Sequence, residues 1–203
     1  MKTILPMAAL AALLCTACDG GQSPPDNPAA SARCGGDNLL GNPDFAANAS
    51  GAAPPWRSSQ HAGEQSFELT YKDGTASIVK VASQPWFRLV QALPARELRG
   101  NLLRYSAELK LDLTEEGVTH GFKIGGGLVV TLRGDPDPVM GGDRLLLSEQ
   151  FEHEPHLGTT DWVSVSTTFE VPANATRLQV GFAQYANGAM QIRQPAVHRC
   201  QAD

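Results

Sequence analysis

The 203-residue chain predicts an all-β domain, a two-sheet β-sandwich of jelly-roll type, on three observations. Apolar and polar residues alternate with a period of two in segment after segment, as strands with one face on a core require. Gly, Pro, Asn and Asp break these segments roughly every 8 to 15 residues, which gives about nine strands. No window carries the helical apolar period over three turns.

Segment FELTYKDGTASIVKVA (67–82) is two alternating runs around Asp73-Gly74, a pair suited to a two-residue hairpin turn. WFRLVQAL (86–93) begins a strand after Pro85, and LPARELRGN (93–101) has room for one helical turn. In LLRYSAELKLDL (102–113), Leu103, Tyr105, Ala107, Leu109 and Leu111 fall on one face. Arg104, Ser106, Glu108, Lys110 and Asp112 fall on the other. FKIGGGLVVTLRG (122–134) is a strand whose triple glycine marks a bulge or a close approach. A phosphate loop would lead into a helix N-terminus, but Leu128 to Leu132 continue as strand, so that reading fails. DRLLLSEQF (143–151), WVSVSTTFEVP (162–172), TRLQVGFAQYA (176–186) and AMQIRQPAVH (189–198) complete the series.

Residues 1–17 read as an export signal. Lys2 supplies the positive start, and the apolar run from Ile4 to Leu14 is shorter than the roughly 20 residues of a membrane-spanning helix. Leu14, Thr16, Ala17 and Cys18 resemble the lipoprotein signal pattern, with small residues just before the acceptor cysteine. Cys15 stands where that pattern usually has Leu, and cutting before it would present the bulky Leu13 and Leu14. The resemblance implies a diacylglyceryl thioether and an acylated amine on Cys18, enough chains for stable anchoring. The expected location is the bacterial cell envelope, facing the periplasm. Asp19 resembles an inner-membrane retention signal of enteric bacteria, and inner or outer membrane stays open.

Residues 18–33 are a Pro-, Gly- and Ser-rich tether, and residues 34–203 form one domain large enough for its own core. Cys34 and Cys200 remain, one at each end of that domain. In an exported chain they are expected to pair, which brings the domain's termini together. Loss of residues 1–17 removes one lysine and takes the formal charge from −5 to −6. The basic residues are scattered along the sequence, with no run of the kind that phosphate neutralisation needs, so nucleic acid is not an expected partner.

Catalytic signatures are weak. FEHEPH (151–156) has the residue types of a zinc site in His153, Glu154 and His156, without helical H-E-x-x-H spacing, and Pro155 breaks any helix there. It reads as a solvated loop with no metal. No G-x-S-x-G elbow occurs, and Glu115-Glu116 and Asp135/Asp137 lie in turns, whereas glycosidase carboxylates sit on rigid positions about 5 to 9 Å apart. An enzyme is not expected. Glycan binding asks for aromatic faces and planar polar groups. The candidates are Trp86 and Arg88 on one face of their strand, Gln184 and Tyr185 near a strand end, and Glu108 with Arg104 and Lys110. Trp56 and Trp162 are expected to pack a sandwich edge, and Tyr105 the core.

NLLGNPDF (38–45), Trp56, QPWFRLVQAL (84–93), LRGNLLRYSAELKLD (98–112), DWVSVSTTFEVPANATRLQVGF (161–182) and NGAMQIRQPAVH (187–198) together resemble the galactose-binding-like jelly rolls, which include many carbohydrate-binding modules. The resemblance implies glycan binding on a concave sheet or at loop tips. It also implies, in many members, a structural calcium held by an acidic residue of the last strand. Here Ile192-Arg193-Gln194-Pro195 stands at that place without a carboxylate, so no cofactor is expected, and Asn42 and Asp44 are the remaining oxygen donors. The function expected is a lipid-anchored, non-catalytic envelope module recognising a glycan or envelope polymer. The alternative is a protein-binding envelope lipoprotein, such as a periplasmic inhibitor or immunity protein, working through loops or an edge strand. Fold does not decide between them.

Overall fold

The computed structural model describes residues 33–139 and 141–201. The signal segment, Cys15, Cys18 and the tether up to residue 32 lie outside the described residues. In chain order the strands are β1 (Arg33–Gly35), β2 (Arg57–Gln60), β3 (Phe67–Lys72), β4 (Thr75–Lys80) and β5 (Phe87–Leu93). A single helical turn, α1 (Ala95–Leu98), precedes β6 (Leu102–Thr114), β7 (Gly126–Pro136) and β8 (Asp143–Gln150). β9 (Gly158–Thr159), β10 (Val163–Glu170), β11 (Ala175–Gln184) and β12 (Asn187–Gln201) follow.

Two antiparallel sheets result. One runs β10-β6-β12-β4-β3, with β1 paired to β12 and β9 to β6, and the other runs β2-β5-β11-β7-β8. The long strands are those whose alternation is visible in the sequence. β1, β2 and β9 are the additions to it, and each is four residues or fewer. They lack an apolar face of their own and are held as strands by a longer neighbour's hydrogen bonds.

The β3–β4 turn is the predicted one: Asp73 and Gly74 have φ of 50° and 74°, matching the right-handed twist of the flanking strands. Between the sheets, Leu103, Tyr105, Leu109 and Leu111 of β6 face Leu89 of β5, Val130 of β7 and Phe182 of β11, all essentially inaccessible to solvent. Each fully buried side chain of this size contributes about 1.5 to 3 kcal/mol. Phe182 is the centre of an aromatic knot, with the rings of Tyr105, Trp56 and Phe45 at 5.8, 5.9 and 6.5 Å. The NLLGNPDF segment is tied to this knot by polar groups. Gly41 N–H donates to Gln91 Oε1 at 2.7 Å, and Trp56 Nε1–H donates to Asn42 O at 2.9 Å.

The termini meet as the cysteine arithmetic requires. Cys34 of β1 lies opposite Cys200 of β12 in register, and the two form a disulfide.

Candidate functional site

The outer face of the five-stranded sheet carries an apolar cluster separate from the core. In β5 the alternate residues Phe87, Leu89, Gln91 and Leu93 point inward, so Arg88 and Val90 point outward. Register carries that face across to Ala183 and Gly181 of β11, then to Gly127 and Val129 of β7. On it Val129, Phe151, Ala183 and Tyr185 pack together, with Trp86 and Val90 against them.

Aromatic rings extend this cluster. Tyr185 meets Phe151 and Phe122 edge-on, both at 5.7 Å, and His120 at 6.4 Å. His61 stands edge-on to Trp86 at 6.1 Å. Phe122 is half exposed and Trp86 partly so, which leaves aromatic surface for a ligand. Arg88 donates from Nε and Nη2 to Tyr185 Oη at 3.3 and 3.0 Å, which orients its guanidinium over the same patch.

The loops that complete the patch are fastened by specific bonds. His120 Nε2–H donates to Tyr185 O at 2.9 Å, and Lys123 Nζ donates to Gln150 O and Phe151 O at 2.8 and 3.0 Å. A groove of about 600 Å³, lined by Lys80, Ser83, Pro85, Thr119, His120 and Asn187 among others, adjoins the patch.

His153 has a structural task. Its Nε2 accepts the Leu128 N–H at 2.9 Å, and burial, aided by His156, lowers its pKa to about 4. Gly127 makes room for it, since a Cβ there would stand 2.2 Å from His153 Nε2. That is the close approach the triple glycine predicts. His156 pairs instead with Glu154 at 3.0 Å. Among the described residues no cluster of three or more potential metal ligands occurs. Asn42 Oδ1 is occupied by the Ala46 N–H at 2.7 Å, and Arg193 is committed to Glu108.

Of the residues expected to bind a ligand, the structure brings together Trp86, Arg88 and Tyr185. Gln184 is a correction. It pairs with the inward-facing Phe87, is fully buried, and donates to Ala186 O and Gly188 O at 3.3 and 2.9 Å, so it shapes the β11–β12 turn. Glu108 is a second correction. It lies on the outer face of the opposite sheet and holds Arg193, whose guanidinium sits 4.2 Å from the Trp162 ring centre. Arg104 and Lys110 share that outer face of β6. Trp162, next to the edge strand β10, reaches over that sheet's face, where with Thr70, Thr75, Ser77 and Gln191 it lines a shallow hollow. Tyr105 is in the core as expected, and Trp56, expected at a sandwich edge, is in the core too. Phe122, Phe151, His61 and His120 were not legible as site residues, because they lie outside the strands, where no period assigns a face.

No protein-family model and no curated protein matches the chain. Solved structures do resemble it. A candidate sugar-binding protein from Bacteroides thetaiotaomicron superposes with a TM-score of 0.51 at 11% identity, covering 80% of this chain and 100% of that one. The enzymatically active domain of tailspike protein 4 of bacteriophage CBA120 gives a TM-score of 0.50 at 13% identity over 80% of this chain. The match takes in only 21% of the tailspike chain. The CBM22-1 xylan-binding domain of Paenibacillus barcinonensis gives 0.47 at 13% identity, covering 83% and 97%. At these identities what is shared is the fold: the chain is a two-sheet β-sandwich of jelly-roll type.

Proposed function

We propose that the chain is a non-catalytic binding module that holds a glycan against the outer face of its five-stranded sheet. One observation carries this reading: Trp86, Phe122 and Tyr185 form an aromatic patch outside the core, with Arg88 oriented over it by the Tyr185 hydroxyl. The apolar C–H faces of a pyranose ring stack on such surfaces, and planar donors such as guanidinium and amide read the hydroxyls. The sugar-binding role proposed for the Bacteroides relative is in keeping with it. The lipoprotein pattern at Cys18 adds the location: a module tethered to the envelope membrane and facing the periplasm.

An oligosaccharide array probed with the full chain tests the first part. Binding to a subset of glycans, weakened about tenfold or more in Trp86→Ala, is the expected result, in line with the loss of one aromatic anchor. A blank array across bacterial and plant glycans would sink it. A protein partner is favoured by a different feature, the free edge strand β8 with Leu145 more than half exposed. It would show as binding that survives Trp86→Ala and is lost on Leu145→Lys. For the anchor, Cys18→Ser is expected to move the protein from the membrane fraction to the soluble one, and unchanged partition would refute it.

A further inference from the structure

We infer that the glycan held by this face is acidic, with carboxylate or sulfate groups seated on Arg57 and Arg88; this rests on the glycan reading above. The chain as a whole is acidic, with a formal charge of −5. The β2–β5 side of the five-stranded sheet is the opposite. Arg57, Arg88, Arg133 and Arg177 all stand at outward positions of β2, β5, β7 and β11. Strands β2, β5 and β11 contain no Asp or Glu, and the sheet's acidic residues, Asp135, Asp143 and Glu149, lie on β7 and β8 towards the other edge.

What these arginines touch is the telling point. Arg177 alone meets a carboxylate, Asp143 at 3.2 Å. Arg133 donates to the main-chain Asp143 O at 3.2 Å, and Arg88 to the neutral Tyr185 phenol. The Arg57 side chain is exposed and makes no hydrogen bond or ion pair among the described residues. On the opposite sheet two of the cations are paired with carboxylates, Arg193 with Glu108 and Lys110 with Asp161. Arg57 and Arg88, close on adjacent strands and without a carboxylate partner, repel one another, and an anionic ligand relieves that repulsion. A guanidinium fork matches the two oxygens of a carboxylate or sulfate, and Arg88 is already oriented, so little ordering entropy is lost on binding.

Register places these groups for one polymer. Arg57 lies opposite Val90 and Ser59 opposite Arg88, so Arg57 and Arg88 are diagonal neighbours on adjacent strands, about 7 to 8 Å apart at their Cβ atoms. Trp86 packs against the same apolar cluster as Val90, just before Arg88 in the chain. A sugar stacked on Trp86 therefore carries its acidic substituent to Arg88, and the next acidic group along the polymer falls to Arg57.

Calorimetric titration of the full-length chain decides the matter. The probes are polygalacturonate, alginate and dextran sulfate, each beside its neutral counterpart: carboxyl-reduced polygalacturonate, carboxyl-reduced alginate and dextran. At least one acidic polymer is expected to bind about tenfold more tightly than its counterpart, with the ratio shrinking as salt rises from about 0.05 to 0.5 M. Arg57→Gln, at an exposed and unpartnered position, is expected to cut that ratio about three- to tenfold, and Arg88→Lys to cut it despite keeping the charge. Arg96→Gln, exposed on α1, is the control that leaves the ratio alone. Equal binding of acidic and neutral polymers overturns this inference while sparing the glycan reading. Equal binding of double-stranded DNA, or a ratio unmoved by Arg57→Gln and Arg88→Lys, also overturns it. Binding to none of the polymers, together with a blank array, removes both.

Discussion

At the scale of single residues, two buried polar groups have effects that can be measured. His153 serves as a neutral acceptor for the Leu128 N–H, and its pKa is lowered to about 4 from 6.5. The folded state binds that proton less readily than the unfolded chain. Its stabilisation is therefore complete above about pH 6.5 and is lost as the pH falls towards 4. Urea titrations across that window are expected to show a fall of roughly 2 kcal/mol, allowing for partial solvent contact, and His153→Gln is expected to flatten it. Tyr105 Oη is buried without a hydrogen-bond partner among the described residues. Tyr105→Phe keeps the ring against Phe182 and removes the orphan hydroxyl, so it is expected to raise the unfolding free energy by about 1 kcal/mol. Residue identity in the candidate site was legible only in part, and the pair Gln184 and Tyr185 shows why. They are adjacent, so in extended chain they face opposite sides, and only the sheet register says which one faces the core.

At the scale of elements, the strands with a clear alternation and the Asp73-Gly74 hairpin follow from local chemistry. Gly74→Val places a β-branched residue at φ 74° and is expected to cost about 1 to 2 kcal/mol, read as a lower urea midpoint at unchanged slope. The short strands were not legible because their pattern is not their own. RSSQ in β2 has no apolar face, yet it supplies Arg57 to the candidate site by pairing with β5. Glu108 shows the complementary limit. The polar face of β6 was read correctly, but nothing local says that β6 belongs to the sheet opposite Trp86. That assignment depends on pairings between residues far apart in the sequence, which no short window contains.

At the scale of the whole molecule, the disulfide closes the domain and the two faces divide its chemistry. Cys34 and Cys200 are 166 residues apart, and opening the bridge releases chain entropy in the unfolded state. Cys34→Ser with Cys200→Ser is expected to lower the unfolding free energy by about 2 to 5 kcal/mol, and reductant should then have no further effect on the melting temperature. The cysteine count made this bridge legible; the closeness of Arg57 and Arg88 was not, since it depends on the pairing of β2 with β5. The bridge also fixes how the domain bears mechanical load. A pull arriving at Arg33 from the N-terminal side cannot first peel β1 away like a zip, because Cys34 passes the tension directly to β12. β12 lies inside its sheet, hydrogen-bonded to β6 along one edge and to β4 on the other, so the force meets interior strands under shear. Under the function proposed above, load on a polymer held at the far sheet would reach the N-terminal side without unravelling the domain from that end.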